Sequence, residues 1–211
     1  MKKVSKNFNS KKMKTQKSNA VKMLISFSFV LLLLFNACGR SGDAPNKHAA
    51  DEPKAASKVE KPKMDLQAAI LSDNLEIVKQ HLEAGTDINV QEQMSGSTPL
   101  ITAVTFGKTA IAKALIDAHA DLSIKNNEGA TALHVAAFFC RIEMVQMLID
   151  AKADKTVKNN FGATPRETVM TPFAEMKPIY GMIQQQLEPL GLKLDMNEVE
   201  KNRPVIAMML Q

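Results

Sequence analysis

The stretch Gly96-Ser-Thr-Pro-Leu-Ile-Thr-Ala103 returns as Gly129-Ala-Thr-Ala-Leu-His-Val-Ala136, and again as Gly162-Ala-Thr-Pro-Arg-Glu-Thr-Val169. The opening glycines stand 33 residues apart twice over, and a fixed period of that size marks a stack of like supersecondary units. Within each copy the chemistry suits a helix start. Thr98 and Thr131 are placed to accept backbone N–H groups, and Pro99 fits a first turn where no N–H is needed. Leu100, Ala103 and Val104 then fall at i, i+3 and i+4, one face of a short inner helix. Ala103 and Ala136 keep that face small enough for neighbouring helices to approach closely.

Downstream of each copy a second motif recurs: Leu82-Glu-Ala-Gly-Thr-Asp-Ile88, Ile116-Asp-Ala-His-Ala-Asp-Leu122 and Ile149-Asp-Ala-Lys-Ala-Asp154. Ile111, Leu115 and Ile116 form the apolar stripe of an outer helix, matched by Met144, Leu148 and Ile149. Upstream, Asp65-Leu-Gln-Ala-Ala69 aligns with Pro99–Ala103 at a spacing of 34, the extra residue falling in Gln91–Ser95. No single unit buries both of its faces, so stability must come from its neighbours.

These two half-motifs at one period resemble the ankyrin repeat, with its Gly-x-Thr-Pro-Leu-His-x-Ala opening and Gly-Ala-Asp close. The resemblance implies an all-α fold, an α-solenoid of about four ankyrin repeats over 64–170, each a helix-turn-helix with a β-turn finger. It implies that His134 hydrogen-bonds backbone between units. It implies a function too: non-catalytic binding of another protein through fingers and inner helices. Beyond Val169 the period degenerates at Pro172 and Pro178. Met176, Ile179, Tyr180, Ile183 and Leu187 nevertheless keep helical spacing, and Pro204 suits the start of a last helix. Residues 171–211 read as a helical C-terminal cap.

The charge sits elsewhere. The chain carries a net +5, but eight lysines and no acidic residue precede Cys38, which leaves 19 basic against 22 acidic residues. A nucleic-acid partner loses its support on that distribution. The lysine-rich start, the apolar run Met23–Phe35, and then Ala37, Cys38 and Gly39 have the order of an export signal, too short for a comfortable membrane span. Met13 offers an alternative start. The end of the run resembles the lipobox of bacterial lipoproteins, although Phe35 and Asn36 depart from its usual residues. That resemblance implies a signal peptide over 1–37, an acylated (palmitate-type) Cys38, and a lipoprotein anchored to the inner or outer membrane and facing the periplasm. An ordinary cleaved signal and an uncleaved anchor are the alternatives. Residues 39–63, broken by Pro45, Pro53 and Pro62, read as a disordered linker able to reach about 85 Å.

Candidates for chemistry are few. The four histidines occupy unlike positions of their repeats, no Cys/His spacing matches a zinc site, and no phosphate loop or nucleophile motif is present. The expectation is no enzyme, no cofactor, no metal and no small-molecule substrate. Thirteen methionines raise an alternative, metal or redox protection in the periplasm, but Met144, Met147, Met208 and Met209 sit where a helix buries a Leu or Ile. Cys140 aligns with Gly107 at the turn between two helices, a position that favours positive φ. Phe138 and Phe139 stand where the ankyrin repeat is usually polar, and Phe106 stands one unit before Phe139. They read as an exposed aromatic row for a partner, unless the C-terminal segment covers them. Around the finger tips Gln93, Met94, Asn127, Glu128, Asn160 and Phe161 complete the expected binding surface, with Asn126-Asn127 and Asn159-Asn160 suited to left-handed turns.

Overall fold

The computed structural model describes residues 60–211. The signal peptide, Cys38 and nearly all of the linker lie outside the described residues. Each inner helix starts where a short polar side chain closes it. Asp65 accepts from the Ala68 N–H to begin α1 (Leu66–Leu71), and Thr98 accepts from the Ile101 N–H to begin α3 (Pro99–Thr105). Thr131 precedes α5 (Ala132–Phe138), and Thr164 with Glu167 forms a reciprocal capping box at α7 (Pro165–Thr168). Such caps satisfy N–H groups that a helix of one or two turns leaves without partners. The outer helices α2 (Leu75–Glu83), α4 (Thr109–Asp117) and α6 (Ile142–Asp150) each run nine residues. They are followed by α8 (Phe173–Leu187), a 3-10 turn (Glu188–Leu190) and α9 (Met196–Met209). The described residues contain helices and no strand.

Packing follows the repeat. Inner helices α1, α3, α5 and α7 stack in one row, and α2, α4, α6 and α9 in a second row behind it. Leu100, Ile101, Ile111, Leu115, Leu133, Met144 and Leu148 are fully buried between the rows. Burying one such side chain contributes about 1.5–3 kcal/mol, so the inter-repeat core carries the stability. Met208 departs from its expected core place: it is 61% exposed. Pro204 lies inside α9 and not at its start, which Asp195 caps by accepting from the Asn197 and Glu198 N–H groups.

The second row breaks period at its last member. Extending the repeat from α6 would place the next outer helix over 175–183, but those residues belong to α8, and it is α9 that packs on α6. Pro172 supplies the reason. At the equivalent positions the Phe106 and Phe139 N–H groups close the last turn of the inner helix on Thr102 O and Val135 O, both at 3.0 Å. Proline has no N–H to donate, and Pro172 leaves the turn extended, with ψ 137°. The chain exits, forms α8 elsewhere, and returns one helix later.

Candidate functional site

Two rims of the solenoid are built differently. The first carries the fingers, the turns that precede each inner helix. In the turn itself Asn126 Oδ1 accepts from the Glu128 and Ala130 N–H groups, and Asn159 Oδ1 accepts from those of Phe161 and Ala163. The second asparagine of each pair reaches backwards. Asn127 donates its side-chain amide to Met94 O at 2.7 Å and its backbone N–H to Ser95 O at 2.9 Å. One repeat on, Asn160 donates its amide to Asn127 O and its N–H to Glu128 O, both at 2.9 Å. Neither asparagine adopts positive φ; the left-handed residues of these turns are Gly96, Gly129 and Gly162. The expected left-handed asparagines are therefore corrected to a ladder that ties finger to finger.

Glycine is needed twice over at two of these positions. A Cβ on Gly96 would stand 2.9 Å from the backbone nitrogen of Asn127, and one on Gly129 2.8 Å from that of Asn160. Gln91 and Lys125 add cross-finger bonds, Gln91 donating to Gly96 O and Lys125 O, and Lys125 to Lys158 O. What the rim presents is then Gln93, Met94, Asn127 and Asn160, all exposed, with Glu128 and Phe161 half-buried. Burial works to raise the Glu92 carboxyl, but the Met94 and Ser95 N–H groups and the Ser95 hydroxyl outweigh it and hold the group below the usual range. At Glu128 burial prevails and pushes the carboxyl up.

His134 links neighbouring repeats, as the resemblance implied. Its Nδ1 accepts from the Thr131 N–H, and Nε2 lies 3.1 Å from Ala163 O of the following finger. Burial holds this imidazole below its ordinary value.

The second rim, at the far end of the inner helices, carries the aromatic residues, and here the sequence reading is corrected. Phe138 and Phe139 are 6% and 7% exposed and belong to the core. They meet edge to face at 5.0 Å between ring centroids, and Tyr180 of α8 packs on Phe138 at 4.9 Å. Tyr180 in turn donates its hydroxyl to Phe138 O at 2.7 Å and receives a bond from the buried Arg203 of α9 at 2.8 Å. Arg203 also donates to Thr171 O. Phe106 is half-buried against the core. No exposed aromatic row exists at Phe138 and Phe139, because α8 covers them. The finger tips and the aromatic residues do not form one surface; the inner helix separates them, and seven residues of helix rise about 10 Å.

Cys140 has φ 55°, like Gly107 at φ 70° and Asp73 at φ 59° in the preceding turns. It is buried, and burial pushes its thiol up to about 11, so at neutral pH it is protonated and a poor nucleophile. Among the described residues no three His, Cys, Asp or Glu side chains are grouped to hold a metal ion.

Residues 66–159 match the family model described as ankyrin repeats in three copies. That span runs from the start of α1 to the last finger and stops short of α7, α8 and α9. No curated protein matches the chain. Among solved structures the chain is similar to the ankyrin repeat domain of Bcl-3, a unique member of the IkappaB protein family: 30% identical, over 49% of this chain and 45% of that one, with a TM-score of 0.48. The present chain thus spans less than half of that relative's length. The matched family and the stacked helix pairs together define an ankyrin-repeat helical solenoid, a fold that serves as a protein–protein interaction module.

Proposed function

From an ankyrin-repeat solenoid whose fingers are locked to one another, we propose that this chain is a non-catalytic protein-binding module tethered to the bacterial cell envelope. It acts there as a scaffold, inhibitor or immunity-type partner of another envelope protein. The observation that carries the binding reading is the finger ladder. Asn127 and Asn160 hold three consecutive turns in register, so a partner meets a rim already ordered, and little side-chain and loop entropy is lost on association. The exposed Met94 offers an adaptable apolar contact between polar neighbours. Envelope tethering rests on the order of lysines, apolar run and Ala37-Cys38-Gly39, since several acyl chains on one cysteine anchor far more strongly than one.

The test compares three forms of the protein. Residues 39–211, immobilised, capture a partner from envelope extract; Met94→Asp with Glu128→Lys is expected to lose it while keeping the wild-type melting temperature. Retention of the same partner by that double variant refutes the finger reading. Full-length protein and Cys38→Ala are then fractionated after metabolic labelling with palmitate. A labelled, membrane-bound wild type beside an unlabelled, soluble variant supports the tether, and equal partition of both removes it.

A further inference from the structure

The repeats are near-copies, so one unit predicts what the next should contain. In the second turn Lys108 pairs with Asp73, the left-handed residue of the turn before it, at 3.4 Å. In the third turn Arg141 takes the place of Lys108, and its guanidinium lies over Gly107, the counterpart of Asp73. A Cβ on Gly107 would stand 2.9 Å from the central guanidinium carbon. Gly107 brings no carboxylate to meet it. Among the described residues no carboxylate pairs with Arg141. Its Nε is buried without an acceptor, and one Nη reaches only Lys193 O at a long 3.4 Å. A buried donor without a partner is destabilising, and more so when it is charged.

Beside this guanidinium opens a cleft of about 470 Å³ between the third helix turn and the loop joining α8 to α9. The volume falls within the range of small-ligand pockets. Its floor is apolar, made by the buried Phe139, Leu192 and Val199. Glu188, Glu198, Asp195 and Lys193 line it as well, and the Asp195 carboxylate is already engaged by two helix N–H groups.

We propose that this cleft is a binding site for an amphipathic monocarboxylate, its carboxylate on Arg141 and its apolar body on Phe139, Leu192 and Val199. The ligand would supply in trans the carboxylate that Asp73 supplies to Lys108 in cis. Glu188 and Glu198 in the lining disfavour a second negative charge on the ligand. A free acyl amino acid and the C-terminal residue of a peptide share this chemistry.

Isothermal titration of the full chain with N-acetylleucine and with N-acetylleucinamide tests the site. The acid is expected to bind at least about tenfold more tightly than the amide, the low end for a charge-assisted hydrogen bond. Gly107→Asp would restore the missing carboxylate in cis at a φ that Asp73 already tolerates. It should keep helical content and a cooperative melting transition, at a melting temperature lowered by the strain of an L residue at that φ, while reducing the acid to the affinity of the amide. Arg141→Lys should retain part of the preference. Equal binding of acid and amide, no binding of either, or an unaltered preference in a folded Gly107→Asp overturns the proposal. Ala-Ala-Leu with a free C-terminus then separates the sources: tighter binding than N-acetylleucine marks a peptide terminus, weaker binding a free acid, and both orders support the carboxylate site.

Discussion

The finger ladder makes a quantitative claim that two alanine substitutions decide. Gly129 and Gly162 both hold left-handed φ, 71° and 76°, so replacing either costs the backbone penalty of an L residue there, about 1–2 kcal/mol. Their surroundings differ. A Cβ on Gly129 meets Asn160, including its backbone nitrogen at 2.8 Å, whereas a Cβ on Gly162 meets nothing within 4 Å. Because backbone cannot swing aside like a side-chain tip, Gly129→Ala must push the last finger away. That displacement breaks the bonds from Asn160 to Asn127 O and Glu128 O, each contributing about 0.5–1.5 kcal/mol. Gly129→Ala should therefore destabilise by about 2–5 kcal/mol and Gly162→Ala by about 1–2 kcal/mol. Urea denaturation followed by circular dichroism gives both values, and comparison at unchanged m keeps the denatured state out of the difference. Losses that agree within about 0.5 kcal/mol, the ordinary scatter of surface substitutions, would refute the ladder as a source of stability.

Two other outcomes follow from buried groups. Tyr180→Phe removes the hydroxyl that joins Phe138 O to Arg203; leaving both partners buried should cost about 1–3 kcal/mol in the same denaturation assay, and a loss under about 0.5 kcal/mol would show the network to be incidental. His134 is held neutral in the fold by burial, its pKa below the unfolded value of about 6.5. The unfolded chain then binds the extra proton first, so stability is full above about pH 6.5 and is lost as pH falls towards the folded value. Glu128, pushed up by burial, acts in the opposite sense but near the carboxylate range. Melting temperatures between pH 7.5 and 5.5 should fall for wild type and stay level for His134→Gln; parallel curves would remove His134 as the cause.

Much of the stack was legible in the sequence because its determinants are local or periodic. Thr98 caps the helix it precedes, Leu100 and Leu133 are buried as their spacing required, and Cys140 shares the left-handed turn of Gly107, the residue it aligns with. What escaped the reading depends on partners that no period encodes. The burial of Phe138 and Phe139 follows from Tyr180, 42 residues beyond Phe138, and nothing in the local pattern of either aromatic residue announces it. A signal for the displaced outer helix was present: Pro172 stands where each earlier repeat uses an N–H to close its turn. The paired asparagines were likewise visible but half understood. Asn126 and Asn159 shape their own turns, while Asn127 and Asn160 serve the turn before them, a bond between repeats that turn composition alone does not reveal.

The direction of those asparagine bonds has a further consequence. Through its second asparagine each finger donates to its predecessor and accepts from its successor, while Gln91 and Lys125 donate the other way, to Lys125 O and Lys158 O. Deleting the first finger would strand the donors of Asn127, which must then find water or stay unsatisfied. Deleting the last would free the Asn127 and Glu128 carbonyls and the exposed Lys125 ammonium, all of which solvent satisfies readily. The open side at Gly162, where nothing stands within 4 Å of an added Cβ, is thus the end at which this rim could be lengthened by one more asparagine-bearing turn without disturbing those already in place.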